Sequence, residues 1–237
     1  MRRRALEVRR LGSVGYGAAL DLQQRLVVER QRDRITDQLL LLEHPPVITR
    51  GVRAGADNVL ASPDVLRRRG VEIHDARRGG DVTYHGPGQL VGYPILLLKP
   101  DRCDVHRYVR DLEEVLIRAA AEFGVRATRI PGLTGVWVGN DKLAAIGVRL
   151  SRWVTSHGFA LNVTTDLDDF ALIRPCGLAD RGVTSLQRLT GRAISDAVVT
   201  DCVANRFAEV FEHEIRAAGG PDRSSGASTQ PVQAASS

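Results

Sequence analysis

Apolar residues recur at intervals of three and four along several stretches of the chain, a spacing typical of amphipathic helices. We predict long helices over residues 16–33, 104–124 and 195–215. Asp104 is suited to cap the second of these helices, and Gly124 to end it. Shorter helices are predicted over residues 62–69 and 166–171, and Thr184 is expected to cap another. The long helices should each bury one face against a shared core.

Runs of β-branched and aliphatic residues indicate strands between these helices. Strands are expected over residues 38–43, 47–50, 71–74, 81–84, 90–98, 125–130, 135–138, 143–150 and 154–163. Gly139, Asn140 and Asp141 favour a hairpin between two of them. Because strands and helices do not alternate regularly, the pattern predicts an α+β fold in which helices flank a curved mixed sheet. We expect one domain over residues 1–218 and a disordered tail rich in Gly, Ser and Ala over residues 219–237.

Composition and charge narrow the functional classes. The chain carries a formal charge of +5 and has a pI near 9.5, but its arginines are scattered and only 5% of its residues are aromatic. This distribution is not that of a nucleic-acid surface, so we expect the charge to steer acidic protein partners. No apolar run is long enough to cross a membrane, and three cysteines without a CxxC pair favour a reducing cytoplasm. The arginine-rich start lacks the apolar segment of a secretory signal.

A glycine-rich segment, residues 77–94, interrupts two predicted strands. Its glycines allow backbone to approach a ligand where a Cβ would clash, and Thr83, Tyr84, His85 and Gln89 add hydrogen-bonding groups beside that backbone. We therefore expect the segment to line a pocket. The alternative is a Gly-Pro hairpin that only turns the chain.

Cys176 is the best candidate nucleophile, because it lies between Pro175 and Gly177 where no bulky neighbour covers the sulfur. Cys103 adjoins a predicted helix N-terminus, which lowers thiol pKa values, but no motif surrounds it. Cys202 lies on the apolar stripe of a predicted helix and is expected in the core.

A thiol nucleophile needs a cationic neighbour or a base. Lys142 begins a predicted strand and can exchange a proton near neutral pH if it is buried, which arginine cannot. The position of Lys142 in the sequence, taken alone, also fits a lysine at the protein surface. His85 and His157 are competing bases, and a Cys-His pair would suggest a thiol hydrolase.

Four ordered blocks resemble the octanoyltransferases, whose fold is related to that of lipoate and biotin protein ligases. The blocks are residues 77–94, 142–148, 157–163, and 175–178 followed by 184–186, and the likeness extends from about residue 6 to residue 215. The resemblance implies an acyl-accepting cysteine at Cys176 and a pKa-lowering lysine at Lys142. Leu143 and Leu178 stand where the family often has isoleucine or valine, a conservative departure. The substrate-contacting segments it implies are Arg77, Arg78, Gly79, Gly80, Asp81, Val82, Thr83 and Tyr84, then Ala145, Ile146 and Gly147, then Gly158, Phe159 and Ala160.

The resemblance also implies the reaction. An octanoyl group passes from octanoyl-acyl carrier protein to Cys176, and then to a lysine of lipoyl domains of 2-oxoacid dehydrogenases and of the glycine cleavage H protein, as the first step of endogenous lipoylation. Neither a cofactor nor a metal is expected, since the thioester is already activated. The alternatives are a Cys-His thiol hydrolase, an ATP-dependent lipoate-protein ligase, and a noncatalytic binding protein that would tolerate Cys176→Ser.

Overall fold

The computed structural model describes residues 3–174 and 181–216, so the predicted tail over residues 219–237 lies outside it. The strands are β1 (Arg4–Ser13), β2 (Asp37–Glu43), β3 (Val47–Arg50), β4 (Glu72–Asp75), β5 (Val82–His85), β6 (Gln89–Ile95), β7 (Thr128–Ile130), β8 (Leu133–Val138), β9 (Asp141–Ser151), β10 (Val154–Asn162) and β11 (His213–Arg216). The helices are α1 (Tyr16–Gln31), α2 (Pro63–Arg68), α3 (Val105–Glu122), α4 (Leu186–Thr190) and α5 (Asp196–Val210), with 3-10 turns at Ala56–Asn58 and Leu167–Leu172.

The described strands form a large mixed sheet and a smaller one. The large sheet has the order β11-β1-β2-β6-β10-β9-β8-β7, and the smaller one β4-β3-β5. β1 pairs in parallel with both of its neighbours, whereas the large sheet is antiparallel from β2 to β7. In the small sheet, β3 is parallel to β4 and antiparallel to β5. The α+β prediction, with one catalytic domain and helices flanking a mixed sheet, is confirmed.

Helices cover both faces of the large sheet. In β2, Leu39 and Leu41 pack with α3 and α5, whereas Leu40 belongs to the cluster against α1, since successive strand residues point to opposite faces. β2 and β6 are therefore apolar along most of their length and buried. A separate cluster that includes Ile48 and Tyr84 fills the core of the small sheet. None of the helices described is long and apolar enough to span a membrane.

Several local predictions need correction. α5 ends at Val210, and residues 213–216, of which 213–215 were predicted as helix, form β11 instead, because Glu212 adopts a left-handed φ of 58° that breaks the helix. The cap of α4 is Ser185, whose hydroxyl accepts the N–H of Arg188, and not Thr184. β1 was not predicted. The predicted hairpin at residues 139–141 is confirmed, with Val138 paired to Asp141.

Candidate active site

A cavity of about 420 Å³ lies between the small sheet and strands β9 and β10. Three segments that are far apart in sequence converge on it. Fourteen of the predicted site residues line its wall: Arg78, Gly80, Asp81, Val82, Thr83, His85, Lys142, Ala145, Ile146, Gly147, His157, Gly158, Phe159 and Ala160. Their contact with substrate stays a prediction.

Of the predicted site residues that the structure describes, three do not line the cavity. Arg77 is exposed at the surface. Gly79 lies behind the wall, where its N–H donates to the carbonyl of Val148 at 2.9 Å. Tyr84 is buried in the core of the small sheet, where its hydroxyl donates to the carboxylate of Asp169. These residues would therefore support the wall from behind or beside it.

Close backbone packing joins the glycine-rich segment to β9. A Cβ at Gly147 would lie 2.8 Å from the carbonyl oxygen of Gly79 and 3.1 Å from Cδ of Arg78. Any side chain at this position would push the segment away from the strand. Glycine thus sets the distance between two walls of the cavity.

Arg78 is a buried cation at this wall, only 8% exposed. Its Nη2 donates to the carbonyl and hydroxyl oxygens of Thr49 at 2.9 and 2.8 Å, and its Nη1 donates to the carbonyl of Gly79 at 3.1 Å. Burial lowers the pKa of Arg78, and the nearby Tyr16, Tyr93 and Asp81 act in the opposite direction. The arrangement fixes a guanidinium beside the cavity.

A hydrogen-bond chain continues from Thr49 across the floor of the cavity. The Thr49 hydroxyl lies 3.5 Å from His85 Nε2, and His85 Nδ1 lies 2.7 Å from Oε1 of Gln89. Gln89 Nε2 donates to Asn162 Oδ1 at 2.9 Å, and Asn162 Nδ2 donates to the carbonyl of Thr184 at 3.0 Å. Since Gln89 presents its oxygen to the ring, His85 donates through Nδ1 and keeps Nε2 as an acceptor.

Both cavity histidines are neutral near physiological pH. Burial, followed by the neighbouring His44, lowers the pKa of His85 to about 3. Burial, followed by the charges of Arg78 and Arg149, lowers the pKa of His157 to about 4. A neutral imidazole cannot stabilise a thiolate by charge. A Cys-His ion pair is therefore disfavoured.

Lys142 lies at the start of β9 and is half-buried. Its Nζ is 4.7 Å from the centre of the Trp137 ring, and burial lowers its pKa from 10.5 to about 8. Its backbone N–H donates to the carbonyl of Gly182 at 2.9 Å, and its carbonyl accepts the N–H of Thr184 at 3.0 Å. Lys142 is thus an ionisable group of the cavity whose pKa lies close to neutrality.

Cys176 lies outside the described residues, which resume at Arg181. The chain on either side of this gap is attached to the cavity wall. The N–H of Arg174 donates to the carbonyl of Asn58 at 2.8 Å, and the Asn58 amide donates to the carboxylate of Asp81, which lines the cavity. On the other side, Val183 forms a bridge with Lys142.

Sequence reasoning missed other cavity residues, among them Tyr16, Tyr93, Trp137 and Asn162. The hydroxyl of Tyr93 lies 2.7 Å from His44 Nε2, so the histidine before the two prolines also supports this site. Asn162 falls inside one of the four blocks, which was a usable signal. Across the described ranges, no group of acidic, histidine or cysteine side chains is arranged to hold a metal ion.

Comparison with known proteins identifies the family. Over 89% of its length the chain is 52% identical to the octanoyltransferase of Acidobacterium capsulatum and covers 92% of that protein. It is 54% identical to the octanoyltransferase of Rubrobacter xylanophilus over 89% of this chain and 96% of the relative. This chain belongs to the octanoyltransferase family. A family model described as the lipoyl protein ligase A/B catalytic domain matches residues 15–208. The octanoyltransferase of Myxococcus xanthus is 51% identical over 88% of the chain, which spans 60% of that longer relative.

Solved structures place this octanoyltransferase family member among the ligase folds. A lipoate-protein ligase A bound with ATP superposes with a TM-score of 0.70 at 16% identity, over 91% of this chain and 88% of the ligase. A bipartite lipoate protein ligase from Thermoplasma acidophilum gives 0.68 at 19% identity, over 92% and 86%. The biotin protein ligase of Aquifex aeolicus in complex with biotin and ATP gives 0.51 at 15% identity, over 89% and 71%. The fold predicted from the resemblance is confirmed.

Proposed function

We infer that this chain is an acyltransferase that carries out octanoyl transfer in protein lipoylation, with lipoyl domains as acceptors. The donor is octanoyl-acyl carrier protein, and Cys176 carries the octanoyl group as a thioester between the two steps. The position of Lys142 is the observation that carries this mechanism. Its side chain is half-buried at the cavity wall, its pKa is lowered to about 8, and its backbone is hydrogen-bonded to the segment that follows residues 175–180.

Chain length supports the placement of Cys176 within reach of the cavity. A polypeptide advances at most about 3.6 Å per residue, so two residues beyond Arg174 span at most about 7 Å. Arg174 is bonded to Asn58, which contacts Asp81 in the cavity wall. Cys176 is therefore within reach of the cavity from this end.

In the first step the Cys176 thiolate attacks the donor thioester, and the carrier thiol leaves. The Lys142 ammonium stabilises the thiolate by charge and gives a proton to the departing thiolate. One thioester replaces another, so the exchange has little free-energy change. The donor is already activated, and the step has no need of ATP.

In the second step the neutral Lys142 amine takes a proton from the ammonium of the acceptor lysine. The amine so formed attacks the Cys176 thioester, so the amide C–N bond forms as the thioester C–S bond breaks. The second proton of the attacking nitrogen passes to water, and Cys176 is released as the thiolate. A group with a pKa of about 8 is neutral in about one molecule in ten at pH 7 and charged in the rest, so both forms are accessible. Arginine supplies the charge but not this exchange.

The cavity wall suits an octanoyl chain. Gly80, Gly147 and Gly158 expose backbone, and Phe159 and Ala160 add apolar surface. Burial of about seven methylene or methyl groups at ~0.8 kcal/mol each provides about 5 to 6 kcal/mol before losses. The chain length that fills this surface should transfer best.

The positive charge of the chain supports acidic proteins as its binding partners. Arg53 lines the cavity and is exposed, so its guanidinium can meet a partner at the opening. The acceptors are lipoyl domains of 2-oxoacid dehydrogenases and the glycine cleavage H protein, met in the cytoplasm. Association should weaken as salt rises, because the Debye length falls to about 10 Å at 0.1 M.

Intact-mass spectrometry after incubation with octanoyl carrier protein tests the intermediate. The wild type, Cys103→Ala and Cys202→Ala should gain one octanoyl mass, and Cys176→Ala should gain none. An adduct that survives in Cys176→Ala would move the nucleophile elsewhere.

Transfer to a lipoyl domain separates the other activities. Octanoyl carrier protein should suffice as donor, whereas transfer only from free octanoate with ATP would indicate a ligase. Release of free octanoate in place of lipoyl-domain modification would indicate a thiol hydrolase.

A further inference from the structure

The side chain of Lys142 is held between two residues of β8. Its Nζ lies 4.7 Å from the ring centre of Trp137, which is buried to 1% exposure. Its Cε lies 3.5 Å from the point where a Cβ would stand on Gly135. Gly135 and Trp137 therefore border the path of the lysine side chain, one along its stem and the other at its charged end. We call these two residues the lysine seat.

A bulge between β8 and β9 creates this seat. Val136 pairs with Ala144, but Trp137 pairs with Lys142, so the register shifts between two consecutive residues. Gly135 has a φ of +127°, and a Cβ there would lie 2.8 Å from the carbonyl oxygen of Ala144. Bulges commonly re-aim a side chain beside a functional site. This one brings the Lys142 stem beside Gly135 and its Nζ near the Trp137 ring.

Helix α3 holds the bulge from behind through a buried carboxylate. Glu113 Oε1 accepts the N–H of Gly135 at 3.1 Å. Its other oxygen accepts from Arg110 and Arg129 at 3.0 and 3.1 Å, and the side chain is 1% exposed. A buried carboxylate with three donors is a fixed anchor. The anchor and the seat lie outside the glycine-rich segment.

We propose that Trp137 is a positioning residue that holds the ammonium of Lys142 over its ring, with Gly135 and Glu113 fixing the strand bulge that aims it. The catalytic importance of Lys142 rests on the proposed function, whereas its seating does not. An aromatic face attracts a desolvated ammonium through the ring quadrupole, which opposes the penalty of burial. The ring also keeps the flexible lysine stem at the cavity wall.

Other charged groups near the seat are accounted for. The guanidinium of Arg181 lies 5.5 Å from the centre of the same ring, Asp141 precedes Lys142 in the chain, and Glu113 is paired with two arginines. None of them shifts the pKa of Lys142, which burial alone lowers. The Trp137 ring, 4.7 Å from Nζ, is a described group that favours the charged form.

A titration followed by NMR tests the seat without using activity. The chain has two lysines, Lys99 and Lys142, so protein labelled with ¹³C-lysine gives two Cε signals that Lys99→Arg assigns. Trp137→Leu should lower the titration midpoint of Lys142 by about half a pH unit to one and a half, and Trp137→Phe by less, because its ring is retained. The signal of the exposed Lys99 is the internal reference.

The second tryptophan provides a matched control. Trp153 packs beside the main core and does not line the cavity, so Trp153→Leu should leave the midpoint of Lys142 unchanged. An unchanged or raised midpoint in Trp137→Leu would overturn the proposal. If Trp137→Leu does not fold, Trp137→Phe and Trp137→Tyr are used for the test. A titration midpoint of Lys142 that is the same in both variants as in the wild type would overturn the proposal.

Kinetic measurements distinguish a failure of the proposed lysine seat from a failure of the proposed function. The pH profile of octanoyl transfer should move with the Lys142 midpoint in Trp137→Phe. If Lys142→Ala transfers octanoyl groups normally, the assigned role of Lys142 fails, although the NMR result still decides the seat. If Lys142→Ala is inactive but the titration midpoint of Lys142 does not change when Trp137 is replaced, the proposed lysine seat is wrong and the proposed function stands.

Discussion

Replacement of Lys142 by methionine should make the folded chain more stable. Burial lowers the pKa of Lys142 from 10.5 to about 8. Each pKa unit corresponds to about 1.36 kcal/mol, so the ammonium form costs the folded state about 3 kcal/mol near pH 7. Methionine has a similar length and no charge, so Lys142→Met should raise the free energy of unfolding by up to about that amount. For a chain of this size the melting temperature should rise by about 6–12 °C.

The stability difference between Lys142→Met and the wild type should depend on pH in a definite direction. Between pH 8 and 10.5 the unfolded chain holds a proton on Lys142 that the folded chain has released, so wild-type stability rises with pH in this window. The advantage of Lys142→Met should therefore shrink from about 3 kcal/mol at pH 7 to about 1.4 kcal/mol at pH 9.5. Urea denaturation of both proteins at the two pH values measures it.

Lys99 supplies the matched control, because it is the second of the two lysines and is exposed. Lys99→Met should change stability by less than about 0.5 kcal/mol at either pH. The reasoning is refuted if Lys142→Met is no more stable than the wild type at pH 7, or if its advantage does not shrink with pH. Octanoyl transfer should be lost in Lys142→Met whatever its stability, as expected where a site is maintained at a cost in stability.

Three further predictions concern the surroundings of the cavity. Gly147→Ala places a Cβ 2.8 Å from the Gly79 carbonyl oxygen, so the glycine-rich segment must move and transfer should fall about tenfold or more in a steady-state assay. Glu113→Leu leaves the Gly135 N–H without its acceptor and removes the ion pairs of Glu113 with Arg110 and Arg129, so it should cost about 2 kcal/mol in urea denaturation. Transfer rates should show no inflection near pH 6.5 from His157, whose lowered pKa of about 4 keeps it neutral.

Each of these three has its own check. Gly17 has open space around its Cβ position, so Gly17→Ala should transfer normally, and equal losses in both alanine variants would remove the steric argument. Glu114 is 32% exposed, so Glu114→Leu should cost less than about 1 kcal/mol, and a cost matching that of Glu113→Leu would contradict the anchor. An inflection near pH 6.5 that His157→Gln abolishes would restore a Cys-His mechanism.

The sequence pattern predicted those helices and strands that are determined by residues close to one another in the chain. Helix α3 was found because Asp104 caps it through the N–H of Arg107 and its apolar stripe is strong. Strand β11 was missed because Ile215 continues the helical spacing of α5, and only the left-handed Glu212 and pairing with β1 make it a strand. β1 carried a usable signal in its buried Leu6 and Val8, which alternate with more exposed residues.

The site was predictable only in part, because much of it depends on contacts between distant segments. The glycines of the three converging segments, together with the family resemblance, indicated the cavity before the fold was known. Thr49 links Arg78 to His85, yet it lies 29 and 36 residues from them and belongs to no motif. Trp137 lies opposite Lys142 only because a bulge shifts the strand register, and the sequence pattern does not predict that bulge.

The pairing of β1 with β11 affects how the chain is made. Arg4 pairs with His213, so one edge of β1 has no partner strand until the last described strand has left the ribosome. At roughly 5–20 residues per second, the roughly 200 intervening residues take about 10–40 seconds to synthesise. During that time β1 has only β2 beside it, and its other edge can template pairing with another nascent chain. Arg10, an exposed arginine of this strand, is the type of charged side chain that discourages such pairing.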